Sequence, residues 1–182
     1  IPTFTQVAED PNFKLYLRPA LNVAYLGFNN TLPPFDNELV RRAFAVALDR
    51  EAIVQETFPI GVSQAEQFVP AIMKPGHSDV LLWWDYNPKD AKDLLTDAGF
   101  DFKTTIPLYY PNISLPFVTS PESVATNIRD QLAEIGVKVR LERTSDFLSL
   151  IEEGKAGLFI YGTIAEYPDP IAFYDLNFKG ET

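Results

Sequence analysis

Between Asn87 and Tyr161 the chain switches repeatedly from the three-to-four spacing of an amphipathic helix to the short apolar run of a strand, and each switch carries a stop signal. Asn87-Pro88 is an N-cap followed by proline at the first helical position, where the missing N–H loses nothing. The helix this predicts over Lys89–Ala98 ends at Gly99, a residue suited to the left-handed position past a helix end. Thr104–Tyr110 reads as a strand and Pro111-Asn112 as a turn. Ser120-Pro121-Glu122 opens a longer helix whose inner stripe is Val124, Ile128, Leu132 and Ile135, and Gly136 ends it. Val137–Glu142 alternates as a strand, Thr144 or Ser145 caps a helix through Phe147, Leu148 and Ile151 that stops near Gly154, and Leu158–Tyr161 is a last short strand. Faces of this kind are buried in an α/β layer architecture, which is the predicted fold class.

Upstream the signals are weaker. The first 35 residues lack a helical period; Phe13–Leu17 alternates loosely, and Leu21–Phe28 is aromatic and β-branched enough for a buried strand. Pro33-Pro34 blocks any regular element, and Asp36 or Asn37 then caps a helix expected to run to about Phe58 on a stripe of Val40, Phe44, Ala47, Leu48 and Val54. Residues 59–86 form a long irregular segment with three prolines and four aromatics. Such a loop is either functional or a flap, here one that covers the core with its Trp83-Trp84 pair.

Simple counts exclude several chemistries. There is no cysteine, so thiolate nucleophiles, disulfides and Cys-based metal sites fall away, and the single histidine, His77, rules out multi-histidine metal centres. The net charge of −10 and the absence of any Lys/Arg cluster longer than Arg41-Arg42 argue against nucleic acid and against an anionic membrane surface. No apolar run approaches the length of a membrane span, and the nine glycines never form a phosphate-cradling motif. The chain starts at Ile1 and closes on Lys179–Thr182 without a stop signal in the pattern, which points to a piece of something longer.

Among the residues able to carry chemistry, His77 reads as a structural histidine in a Pro-rich loop, and Glu152-Glu153 as a solvated helix end. Glu166 is different. It follows a short apolar strand, in a turn stiffened by Pro168 and Pro170, and in open α/β sheets ligands settle beyond the carboxyl ends of strands. A carboxylate there is placed to receive a cation or an amine; the alternative is a turn-forming acid that bonds its own backbone. A hydrolase built on Glu166 and Asp169 needs both carboxylates to converge on one pocket.

Five stretches taken together carry a resemblance: Tyr25–Asn30; the block Pro33–Glu51 with Val40, Arg41, Ala43, Ala47, Asp49 and Arg50; Tyr86–Leu95 running to Ala98-Gly99-Phe100; Ile128–Val139; and Ala165–Pro170. In order and spacing the chain resembles the family 5 extracellular solute-binding proteins, the peptide- and nickel-type receptors that feed ABC importers. The resemblance implies a two-lobed, periplasmic-binding-protein-like clamp with a mixed sheet flanked by helices, of which residues 1–182 are a single lobe, the second. Within it, hinge-proximal strands are expected over 1–35, a helix over 36–58, the irregular segment over 59–86, alternating helices and strands over 87–163, and over 164–182 a cleft turn that returns toward the missing first lobe.

The function implied is capture of a peptide-like or amine-bearing small solute between two lobes, without a catalytic step or cofactor, in an extracytoplasmic space, and its delivery to a membrane permease. Peptide-binding relatives place an acid in an Ala-Asp-Tyr-x-x-Pro turn against the peptide's N-terminal amine; that position is Glu166 here, one methylene longer, and the Trp usual before it is replaced by Thr163. Tyr167, Asn29 and Tyr110 are the other residues expected to reach the cleft, while Arg41 and its helix are expected to serve packing, with alanines that let the helix approach the sheet closely. Some transcription regulators resemble the same family, so a ligand-sensing domain is the alternative.

Overall fold

One sheet organises the molecule in a computed structural model that describes residues 4–16, 18, 20–78, 80 and 84–178. Its strands are β1 (Asn22–Phe28), β2 (Thr105–Pro111), β3 (Lys138–Thr144) and β4 (Leu158–Ile164), in the order β1-β4-β2-β3. β2 runs parallel to both β3 and β4, and β1 runs antiparallel to β4, so the sheet is mixed. The helices are α1 (Phe4–Glu9), α2 (Glu38–Val46), α3 (Arg50–Thr57), α4 (Pro88–Asp97), α5 (Pro121–Glu134), α6 (Phe147–Glu152) and α7 (Ile171–Phe178). The signals read between Asn87 and Gly136 act as expected: the Asn87 side chain accepts the Asp90 N–H at 3.1 Å, and Gly99 and Gly136 have φ of 68° and 90°.

Several expectations are corrected. The helix read over 36–58 is two helices. Asp49 sits in extended conformation and its carboxylate accepts the Ala52 N–H at 2.9 Å, capping a new helix, while its own N–H donates to Gln131 Oε1 at 2.7 Å. The apolar stripe continues through this break, so periodicity alone does not show it. The strands read over 1–35 reduce to β1, preceded by the short helix α1; Leu17 of the loosely alternating stretch lies outside the described residues. β4 extends past Tyr161 to Ile164 because Gly162, Thr163 and Ile164 pair with Ala24, Val23 and Asn22. The residues after Ile164 include a helix, α7, and Lys179–Thr182 lie outside the described residues.

Each face of the sheet has its own cover. Leu26, Leu108, Leu158 and Ile160 face a large core with Phe35, Phe44, Leu95, Val124, Ile128 and Leu132 from α2, α4, α5 and their approaches. α2 packs chiefly on α4 and reaches the sheet through aromatic rings rather than by close backbone approach: Phe44 lies 6.2 Å from Phe28 and 5.2 Å from Phe35, ring to ring. Arg41 serves packing as read, donating to the Phe35 carbonyl at 2.7 Å and so satisfying the turn that precedes α2.

The opposite face carries a smaller cluster of Val23, Val69, Met73, Ala165 and Phe173. Its cover includes the irregular segment, but not in the manner expected. Phe68, Val69 and Met73 close over β1 and β4, whereas Trp84 stands 46% exposed with the Arg42 guanidinium 5.7 Å from its ring; Trp83 lies outside the described residues. Arg50 accounts for the placement, since it donates to the carbonyls of Ala65 and Trp84, both at 3.2 Å, and ties the segment to α3 at two points.

Candidate functional site

The parallel strands β2, β3 and β4 all deliver their carboxyl ends to one edge of the sheet. From neighbouring strands the chain then departs to opposite faces: after β2 it enters α5, which packs in the large core, and after β4 it enters α7, whose Phe173 belongs to the small one. That divergence between adjacent strands is the switch point at which open α/β sheets form a crevice.

Glu166 and Tyr167 stand at this edge, both exposed, immediately past β4. The turn beneath them is anchored on both sides. The Ala165 N–H donates to the Leu21 carbonyl at 2.8 Å, and the Asp169 carboxylate accepts the Ile171 N–H at 2.9 Å while the Asp169 carbonyl accepts from Ala172 at 3.1 Å. Asp169 therefore starts α7, and one oxygen of its carboxylate is engaged with the backbone of that helix. Glu166 makes no such bond. Among the described residues no Lys or Arg pairs with it, so an unneutralised carboxylate stands at the crevice of a chain of net charge −10.

Tyr110 lies on the same edge but is 4% exposed, one residue short of the end of β2. Burial, and then Glu122, push its hydroxyl above the usual tyrosine range, and Arg143 opposes them. It forms the floor of a shallow pocket of about 220 Å³ with Asn112, Ser114, Thr119, Glu122 and Arg143, so it reaches this edge from below rather than from its rim.

Asn29 is at the other end. β1 and β4 pair antiparallel with Phe28 opposite Leu158 and Asn22 opposite Ile164. The length of that ladder, about 20 Å, separates Asn29 from Glu166. The Asn29 side chain donates to the Gly154 carbonyl at 3.0 Å and accepts from the Thr31 N–H at 3.0 Å and hydroxyl at 2.7 Å. It holds two loops together, and the structure does not bring it to Glu166. A turn asparagine at the close of a strand gives the same sequence signal in either place.

His77 lies in the irregular segment, its Nδ1 2.9 Å from the Val69 carbonyl, a structural contact. Glu152 and Glu153 are exposed at the end of α6, where Glu153 pairs with Lys155 at 2.6 Å. Among the described residues no group of His, Asp and Glu side chains is placed to hold a metal ion, and no helix is long and apolar enough to cross a membrane.

The residue that replaces the usual Trp has a definite place. Thr163 is 6% exposed and hydrogen-bonds the Tyr25 hydroxyl, under the edge rather than on it. Tyr25, which sequence reasoning left inside a strand without a role, meets Phe68 at 5.0 Å and Tyr161 at 6.1 Å, ring to ring. Burial drives its hydroxyl up to about 12. Its strand position was legible; its partnership with Thr163 depends on the β1–β4 register, which no short-range pattern encodes.

The sequence model "Bacterial extracellular solute-binding proteins, family 5 Middle" matches residues 1–182. The chain belongs to that family. It is 31% identical over 135 residues to the peptide transport periplasmic protein SapA of Salmonella typhimurium, a match covering 74% of this chain and 24% of SapA. Among solved structures, HbpA2 from Haemophilus parasuis superposes with a TM-score of 0.86 at 31% identity, covering 94% of this chain and 34% of HbpA2. A dipeptide binding protein from Pseudoalteromonas sp. SM9913, in complex with Met-Leu, superposes with a TM-score of 0.84 at 26% identity, covering 94% of this chain and 34% of that one. This member of family 5 thus spans about a quarter to a third of the proteins it resembles, and it shares the α/β fold of the corresponding part of them.

Proposed function

We propose that this chain is one lobe of the solute-binding component of an ABC import system, which captures a peptide-like or amine-bearing solute in a cleft shared with a second lobe and delivers it to a membrane permease in an extracytoplasmic space. The observation that carries the reading is Glu166: an exposed carboxylate with no cationic partner among the described residues, at the switch-point edge of the sheet, on a turn pinned from both sides. In water such a group gains little from an amine. When a second lobe closes over it, the loss of solvent strengthens the pairing and gives the ligand its preference for the closed form. The shape of the edge supports the same reading, because the shallow pocket of about 220 Å³ at the end of β2 does not include Glu166 or Tyr167 in its lining, and a ligand held by Glu166 gains its remaining wall from the second lobe. Tyr167, 55% exposed beside Glu166, offers an aromatic face to the same ligand. The names of the relatives, a peptide transport protein and a dipeptide-binding protein, agree with the solute class. The Asp169 carboxylate accepts the Ile171 N–H at 2.9 Å, and a binding role needs no second acid.

Calorimetry on the full-length protein with trialanine and with N-acetyl-trialanine tests this. The free-amine peptide binds wild type, and either Glu166→Gln or acetylation of the peptide weakens binding by about 2–5 kcal/mol, the usual result of stranding one partner of a desolvated charge pair. Equal affinity of wild type and Glu166→Gln for trialanine removes Glu166 from the site; no binding of either peptide by wild type removes the peptide-like solute.

A further inference from the structure

The irregular segment touches the Glu166 turn through a residue that has no side chain. Gly76 has a φ of +125°, in the region that favours glycine, and a Cβ built there would lie 2.2 Å from Cγ and 2.8 Å from Cβ of Pro170. Pro170 closes the turn, and its carbonyl accepts the N–H groups of Phe173 at 3.0 Å and Tyr174 at 3.3 Å, so it is also the first support of α7. Behind Gly76 the segment is braced. The Ser78 N–H donates to Gln67 Oε1 at 3.0 Å, and Gln67 Nε2 donates back to the Ser78 carbonyl. The His77 N–H donates to the Met73 carbonyl at 3.0 Å, and His77 Nδ1 donates to the Val69 carbonyl at 2.9 Å. Val69 and Met73, 1% and 2% exposed, are buried with Ala165 and Phe173, the residues on either side of the turn.

We infer that residues 67–78 are a brace that sets the position of the Glu166 turn, with Gly76 as the positioning residue. Ala165 and Phe173 are held in the cluster with Ala172 packed against it, and between Ala165 and Pro170, which meets Gly76, residues 166–169 are exposed. A push on Pro170 is opposed on the α7 side by Ala172 and Phe173 in the cluster, so it is taken up through the exposed residues 166–169 and moves the Glu166 carboxylate without breaking the core. That such a movement alters binding rests on the reading of Glu166 as the amine acceptor; the brace itself does not.

Hydrogen exchange on the full-length protein separates the two. Gly76→Ala is compared with Gly99→Ala, which also forces an L side chain into positive φ, at +68°, but puts its Cβ where nothing lies within 4 Å. The brace predicts that Gly76→Ala speeds exchange at the Ala165, Ile171 and Phe173 amides by about tenfold or more, the scale of a local strain of this kind, while Gly99→Ala leaves them at the wild-type rate. Where Gly76→Ala does not fold, Gln67→Ala serves instead: it cuts both bonds to Ser78 without adding volume, and the same three amides accelerate. Wild-type rates at these amides in the folded variant, or equal acceleration in the Gly99→Ala control, overturn the brace. Trialanine affinity then tests the consequence. Acceleration with unchanged affinity leaves the brace standing and overturns its role in positioning the ligand site, and a wild type that does not bind trialanine contradicts the amine reading while the exchange result still decides the brace.

Discussion

The two faces of this one sheet are covered by different kinds of chain. On one side regular helices bury a continuous core in which Ala43, Phe44, Ala91, Leu95, Ala125 and Leu132 have no exposed surface. On the other, an irregular segment and the first turns of α7 bury a cluster of Val23, Val69, Met73, Ala165 and Phe173. The Glu166 turn stands at the border, in sequence between the last strand and α7. A large helical core holds the sheet rigid, and the lighter face leaves the turn beside it able to be adjusted by a few contacts. Binding residues are commonly carried on loops held by a rigid scaffold, and the low-stability end of a fold is where moving parts are drawn from.

Truncating one buried side chain on each face separates the two covers most directly. Phe44→Ala in the full-length protein removes a fully buried ring in contact with Phe28, Phe35 and Phe100, and is expected to lower stability by about 3–5 kcal/mol in urea unfolding. Met73→Ala is expected to lose about 2 kcal/mol, at the low end for such a truncation, because the irregular segment can settle into the space left behind. Its exchange signature is local, with the Ala165 and Phe173 amides accelerating while those of Ile106 and Leu108 hold their rates. Should Met73→Ala equal Phe44→Ala in its effect, with global loss of protection, the faces are not unequal and the lighter cover is part of one core.

The same division governs what was legible from sequence. From Asn87 to Gly154 nearly every boundary is written in a cap, a proline or a glycine, and those elements formed within a residue or two of the expected places. The α2–α3 break escaped because the signal that makes it, the Asp49 side chain on the Ala52 N–H, interrupts a stripe that periodicity reads as continuous. The cover of the second face escaped for a different reason: Phe68, Val69 and Met73 are inward by virtue of a loop path set by Arg50 and by Gln67 on Ser78, contacts at a distance that no window of sequence contains. For the site, the position of Glu166 past a strand was legible, and its free carboxylate was not. Asn29, expected among the cleft residues, is put at the opposite end of the ladder from Glu166 by the antiparallel register of β1 and β4, which no window of sequence contains.

The smallest expected effect is a pH dependence specific to the lighter face. Tyr25 and Tyr110 sit on opposite faces of the sheet and both hydroxyls are pushed above the ordinary tyrosine value by burial, Tyr25 to about 12. An unfolded tyrosine loses its proton near pH 10. The folded chain holds the Tyr25 proton more tightly, so this contribution to stability is complete below about pH 10 and is lost as pH rises from there toward 12. Tyr25→Phe keeps the ring against Phe68 and Tyr161 and removes the titrating group. It also leaves the buried Thr163 hydroxyl without that bond, a loss of about 1 kcal/mol at every pH. Thermal unfolding midpoints measured from pH 8 to 11.5 should therefore show Tyr25→Phe below wild type at pH 8 and the gap closing as pH rises, with the Tyr110 contribution common to both curves. Curves that stay parallel mean that Tyr25 titrates no differently in the folded and unfolded chain, and that the segment over it admits enough water to solvate a phenolate, a looser cover than Phe68, Val69 and Met73 provide here.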